Sequence, residues 1–295
     1  MSPIAVFAFN RLDPLKALID SLRNNPEAKE CELYIFVDGE REGNQNDVEA
    51  VNAVRHYVET IKGFKEVHYR FSAINLGLGS SIIAGVSEVI NRHGSIIVLE
   101  DDLRVEPGFL RFMNQGMTAF ENCMDVWSVC GYSNKVSIPE NYPYDAYFST
   151  RSSSWGWGTW ANRWNSVDWS FEHWNEWKTY ARRFNLWGGS DCFGMLADCR
   201  NGKNQSWAIR FCFNQFLQNK VSLFPVKSLI TNDGFDGTGT NCRRWNRFKC
   251  EIMPDGITEF RLPEETTIVS KIHRSAMKYH SIPARIISRI MYTIT

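Results

Sequence analysis

No apolar stretch among these 295 residues approaches the roughly 20 needed to cross a bilayer, and the opening MSPIAVFAFN enters a strand-like run at once. Neither a secretory leader nor a transmembrane stem is expected. Charge of one sign is lacking too: 33 Lys+Arg face 33 Asp+Glu, which excludes a broad nucleic-acid footprint and points to a small partner. Cysteine is present at 31, 123, 130, 192, 199, 212, 242 and 250, but without a CxxC pair or other zinc spacing. These positions read as buried free thiols in a reducing cytoplasm. A GxGxxG fingerprint is missing after the first apolar run, which ends instead in Phe9-Asn10-Arg11.

What is present is an alternation. Residues 3–9, 32–38, 66–72 and 95–99 are short apolar, β-branched or aromatic runs. Between them lie helix-length segments such as 13–24 and 78–92, with apolar residues three and four apart. Strand and helix alternating at this period predict βαβ units and a mostly parallel sheet. Asp13 before Pro14 offers an N-cap and an N1 proline for the first helix. Gly77-Leu78-Gly79 reads first as a glycine turn before a helix, yet Asn75 and Gly77 would put backbone N–H groups where a phosphate can sit.

The most informative stretch is Ile96-Ile97-Val98-Leu99-Glu100-Asp101-Asp102. An apolar run of that kind is a strand buried on both faces, and three acids then emerge at its carboxyl end, where open α/β sheets bind ligands. Adjacent carboxylates repel in a low-dielectric cleft, and a hard divalent cation is the plainest relief. The plainer reading is that Asp101 or Asp102 caps a helix starting near Pro107, but a cap needs a single acid and not three.

Beyond residue 150 the texture changes. Eight of the eleven tryptophans lie between Trp155 and Trp187, beginning Ser153-Ser154-Trp155-Gly156-Trp157-Gly158-Thr159-Trp160. Indole faces stack well on sugar rings. Trp164, Trp169, Trp174 and Trp177 read as core, whereas Trp155 and Trp157, flanked by glycine and serine, are candidates to line an acceptor site. A polar, glycine-rich loop from Thr231 to Cys242 follows a short strand and has the composition of a closing loop. The tail from 271 to 295 mixes Lys271, His273, Arg274, Lys278, His280, Arg285 and Arg289 with Ile282, Ile286, Ile287, Ile290 and Met291. Two readings stand equal: a helix lying on the inner membrane face, or one docked on the core with a solvated basic face.

Pro3–Arg11 together with Val98–Phe109 (VLEDDLRVEPGF) resemble the GT-A glycosyltransferases, in particular the N-acetylglucosaminyltransferase I-like branch and bacterial family 2-like sugar transferases. The WGWGTW segment and the DGTGT loop look like those of the same group, and the resemblance covers most of residues 1–245. It implies an α/β GT-A fold: Rossmann-like, with a mostly parallel central sheet and flanking helices, in a single domain with a C-terminal helical tail. Residues 1–105 would be the nucleotide-binding half, 106–245 the acceptor half and 246–295 an extension. It further implies a nucleotide-sugar donor, UDP-sugar favoured, Mn²⁺ or Mg²⁺, and an inverting transfer of a hexosyl or N-acetylhexosaminyl group to a glycan or lipid-linked acceptor. By the same resemblance Asp102 would bind the metal, Glu100 and Asp101 the donor's sugar or ribose, and Phe9, Asn10, Arg11 and Asp38 would border the nucleoside.

The general base is where the chain departs from the group. Where a catalytic aspartate is expected, the sequence reads Asn204-Gln205-Ser206-Trp207, and Asn241 stands where relatives tend to show a metal-binding histidine. Asp191 and Asp236 are then base candidates, with Asp198 and Asp233 behind them. A catalytically silent donor- or glycan-binding subunit is the alternative. A nucleotidyltransferase would need a glycine-rich, basic loop near the first strand, and AFNRLDP has one arginine and no glycine.

Overall fold

The computed structural model describes residues 1–234 and 248–294. Its elements are β1 (Ile4–Ala8), α1 (Leu12–Arg23), β2 (Glu32–Val37), α2 (Gln45–Glu59), β3 (Glu66–Phe71), α3 (Leu78–His93), β4 (Ser95–Glu100), β5 (Leu103–Val105) and α4 (Phe109–Ala119). There follow β6 (Val126–Cys130), β7 (Ala146–Ser149), β8 (Trp157–Trp160), α5 (Ala161–Trp164), α6 (Trp174–Trp177), α7 (Ala181–Gly188), α8 (Cys192–Arg200) and α9 (Trp207–Leu217). Last come β9 (Val221–Pro225), β10 (Ile230–Asn232), α10 (Ser270–Tyr279) and α11 (Ile282–Ile294).

Eight strands form one sheet in the order β3-β2-β1-β4-β8-β6-β9-β7. The first four are mutually parallel, as the βαβ alternation predicts. The second half is mixed: β8 is antiparallel to both β4 and β6, β9 is parallel to β6, and β7 closes the edge antiparallel to β9. The continuous apolar runs are explained by helices on both faces. In β1, Ile4, Val6 and Ala8 face the core built by α1, α2 and α4, while Ala5 and Phe7 face the one built by α3 and α9. In β4, Ile97 and Leu99 join the first core, Ile96 and Val98 the second. Period-two side chains between two helical layers leave no polar face.

The first helix begins two residues earlier than the Asp13 cap would have it. Arg11 holds the boundary without a side-chain cap, and Asp13 is an exposed member of the first turn, where its charge still suits the helix N-terminus. A third, smaller core gathers Trp177, Phe184 and Phe213 from α6, α7 and α9. Residues beyond 248 return to the main body: Met253, Phe260 and Ile272 are buried. Phe260 meets Phe112 edge-on at 5.1 Å. All seven described cysteines are free thiols, five of them buried. Among the described residues no helix is long and apolar enough to cross a membrane.

Candidate active site

Because β1, β2 and β4 are parallel, their carboxyl ends bring Phe9–Arg11, Asp38 and Glu100–Asp102 to one edge of the sheet. β1 sits between β2 and β4, so the chain leaves β1 toward β2 on one side while β4 lies on the other. That divide is the switch point at which open α/β sheets form their ligand crevice.

The acids are held from β1. The Asp101 backbone N–H donates to the Phe7 carbonyl, and Asp101 Oδ2 accepts from the Phe9 N–H at 3.3 Å. Arg11 Nη2 bridges Asp101 Oδ1 and, at 3.1 Å, Asp102 Oδ2. Two carboxylates thus share one guanidinium, and the third acid, Glu100, precedes them at the end of β4. Burial pushes the Glu100 carboxyl up to about 8, with Asp102 and Asp101 adding to the rise. Burial likewise raises Asp101 to about 6, against the pull of Arg11. A site with this surplus of negative charge and hard oxygen donors suits a divalent cation.

The short strands β5 and β10 pair antiparallel and carry the start of the glycine-rich loop onto the acids. Asp233 N–H donates to the Asp102 carbonyl, and Arg104 pairs with the Asp233 carboxylate at 2.8 Å. A Cβ at Gly234 would stand 2.7 Å from Asp102 Oδ2, so only glycine lets the backbone pass here. Asp236 and Asn241 lie outside the described residues.

On the donor side Asp38 is nearly buried and engaged by backbone. Its Oδ1 accepts from the Gly39 and Leu76 N–H groups and its Oδ2 from Gly77 at 2.9 Å. It therefore shapes the turn that starts α3. Asn75 ties the same turn to the Gly39 carbonyl at 2.7 Å. Gly77, with φ of 74°, is the N-cap residue of α3. Asn10 donates to Asp47, whose carboxyl is held down at about 2, chiefly by hydrogen bonds from Arg41. Arg41 also lies over the Phe9 ring. Gln205 reaches this crevice: a Cβ on Gly77 would come within 2.4 Å of its Oε1.

On the other side Gly156 packs on Leu99, one residue before Glu100. Trp155 therefore stands at the same end of the sheet. Its ring meets Tyr132 and Phe248 edge-on and lines a cavity of about 200 Å³ with Arg151, Ser152–Ser154, His273 and His280. Trp157, at 1 % exposure, stacks on Trp207 at 4.6 Å within the core and is not among the residues that line this cavity. The reason is that β8 is an interior strand covered on both faces. Trp164 and Trp177 are core, as expected, and Trp169 and Trp174 pack at its margins.

Of the base candidates, Asp191 is paired with Arg151 at 3.1 Å. Burial would raise its carboxyl, but Arg151 and His280 outweigh that and hold it below the ordinary range. It orients Arg151 on the cavity wall. Asp198 pairs with Lys203 on the surface of α8. A separate group of possible metal donors, Glu32, Glu66 and His68, lies at the opposite ends of β2 and β3, where Lys65 partly neutralises Glu32. Sequence reasoning missed Tyr132, Arg151 and His280. The polar run Arg151-Ser152-Ser153-Ser154 directly before the tryptophans was the available signal.

The family described as glycosyl transferase family 2 matches residues 4–194, from β1 into α8. The chain belongs to that family. Among solved structures it is similar to S. aureus TarS 1-349, at 9% identity and a TM-score of 0.42, over 79% of this chain and 61% of that one. It is also similar to GalNAc-T7 with UDP, GalNAc and Mn²⁺, at 10% identity and a TM-score of 0.48, over 77% and 43%. A structure of S. aureus TarS matches at 12% identity and a TM-score of 0.34, over 52% and 26%. The chain thus spans at most 61% of the length of these structures. No curated protein sequence matches it. The architecture of this family 2 member is mixed α/β, a large central sheet flanked by helices, as the strand and helix alternation predicts.

Proposed function

We propose that the chain is a metal-dependent, inverting glycosyltransferase. It moves a hexosyl or N-acetylhexosaminyl group from a nucleotide-sugar, UDP-sugar favoured, to a hydroxyl of a glycan or lipid-linked precursor of a surface polysaccharide. The observation that carries this reading is the run of three acids at the end of β4, beside β1, two of them paired with the Arg11 guanidinium, in a family 2 chain.

Asp102, half-buried and facing the crevice, would hold Mn²⁺ or Mg²⁺, with Glu100 beside it. The cation, when bound, offsets the charge that grows on the departing diphosphate. Arg11 orients Asp101 and Asp102 toward one point. The backbone turn at Asn75–Gly77, fixed by Asp38, forms the donor-side wall. Trp155 offers an apolar face to the acceptor ring, and the floor of the Asn232–Gly234 loop limits the space above Asp102. As the acceptor oxygen attacks the anomeric carbon, the bond to the diphosphate breaks and the hydroxyl proton passes to a base.

A second reading, a donor-binding subunit without turnover, is favoured by Gln205 in the crevice and by the ion-paired state of Asp191, Asp198 and Asp233. Calorimetric titration of UDP-, GDP- and dTDP-sugars with and without Mn²⁺ tests both. Metal-dependent binding lost in Asp102→Ala supports a donor site, and transfer or hydrolysis by the isolated chain decides for the enzyme. Binding to no donor, or affinity unchanged in Asp102→Ala, refutes the proposal.

A further inference from the structure

Helix α11 turns four of its isoleucines away from the protein. Ile282, Ile286, Ile287 and Ile290 are 60%, 52%, 59% and 52% exposed. The face toward the body is made instead by Ala284, Ser288 and Met291, of which Ser288 is buried to 5%. A helix that merely docks on its own domain buries its large apolar side chains and leaves its small and polar ones outside. Here the arrangement is inverted: Ile282, Ile286 and Ile290 follow one another at four-residue spacing, with Ile287 beside them.

The charge around this stripe is of one sign. No Asp or Glu follows Glu265, whereas Lys271, Arg274, Lys278, Arg285 and Arg289 do. Lys271, Arg274 and Lys278 on α10 are exposed, while the side chain of Arg289 lies outside the described ones. The rest of the chain is therefore net acidic, and the basic excess is gathered in the same C-terminal segment as the isoleucines. An apolar stripe flanked by cations, on a helix too short to span, fits the headgroup region of an anionic bilayer.

We propose that α11 docks the protein on an anionic lipid surface, with Ile282, Ile286, Ile287 and Ile290 inserted and the α10 cations against the headgroups. This selects between the two readings of the tail: α10 is the docked helix, with Ile272 and Ala276 buried, and α11 is the membrane contact. The docking has a spatial consequence. α10 walls the Trp155 cavity through His273, Ala276, Met277 and His280, and Ile282 follows His280 by two residues. On the glycosyltransferase reading, the cavity is thereby held beside the surface from which a lipid-linked acceptor is presented. The docking itself does not depend on that reading.

Sedimentation of the full chain with vesicles of phosphatidylcholine alone, or of phosphatidylcholine with phosphatidylglycerol, tests the proposal. Binding is expected to the anionic vesicles only, weakening as salt rises, and to fall more than tenfold in the double variant Ile286→Glu, Ile287→Glu. A second variant, Lys271→Gln with Lys278→Gln, should weaken anionic binding severalfold and reduce its salt dependence. Circular dichroism of both variants should match the parent, since the replaced side chains are exposed. Three results would overturn the proposal: no binding of the parent to anionic vesicles, equal binding by the Ile→Glu variant, or a solution dimer that this variant dissociates. The last would make a second copy the occupant. UDP-sugar titration in the same samples keeps this outcome separate from the fate of the donor site.

Discussion

Trp155 and Trp157 share glycine and serine neighbours yet should respond oppositely to truncation. Trp157 is enclosed between β4 and β6 and touches Trp164, Trp207 and Phe211. Removing the indole exposes or empties on the order of 200 Å², which at about 25 cal/mol per Å² amounts to roughly 5 kcal/mol. Part of that burial persists in the unfolded chain, so a loss of about 3–5 kcal/mol is expected for Trp157→Ala. In a chain of this size it should lower the thermal midpoint by roughly 6 °C or more. Trp155→Ala, at a half-buried site against Tyr132 and Phe248, should cost about 1–2 kcal/mol and keep the fold. Its effect should fall on acceptor use, raising KM while donor affinity holds. Differential scanning calorimetry of both variants, with donor titration, provides the comparison. An unchanged midpoint in Trp157→Ala, or donor binding lost in Trp155→Ala, would refute the division of the two residues between core and cavity.

Cation binding should be linked to protons. Glu100 and Asp101 are raised to about 8 and about 6, so without a cation their ionised forms are disfavoured and stability falls as pH rises through that window. A cation needs the ionised forms, so Mn²⁺ affinity should rise roughly eightfold between pH 7 and pH 8.5, with about one proton released at pH 7. Calorimetry in two buffers of different ionisation enthalpy counts that proton, and pH-independent binding without release contradicts the reading. Gly234→Ala, whose Cβ would press on Asp102 Oδ2 at 2.7 Å, should weaken Mn²⁺-dependent donor binding about tenfold or more with little change in thermal midpoint. Gly194→Ala in α8 has no neighbour within 4 Å and should stabilise by about 0.5–1 kcal/mol with donor binding unchanged.

The reason some of this was legible in the sequence and some was not lies in distance along the chain. A strand covered on both faces must be apolar at every position, so β1 and β4 announced themselves, and the acids after β4 had nowhere to be except the sheet's carboxyl edge. The same logic extended to β8 would have buried Trp157, but a four-residue strand paired to β4 across about sixty residues leaves no periodic signature of its own. Ion pairing is equally non-local: Asp191 looks free in sequence, and only the fold brings Arg151, forty residues earlier, onto its carboxylate. Helix α11 makes the point most sharply. Its spacing reveals that the isoleucines share a face, but periodicity is indifferent to whether that face meets protein or solvent. The side was settled by what lies opposite: Ala284, Ser288 and Met291 are small or flexible enough to sit against the body. Burying the isoleucines there instead would turn the exposed side polar and leave no apolar face on which the proposed docking could rest. A sequence pattern therefore defines a partner-seeking surface only once the inward face has been seen to be satisfied, and among the described side chains of α11 the buried one is Ser288, not an isoleucine.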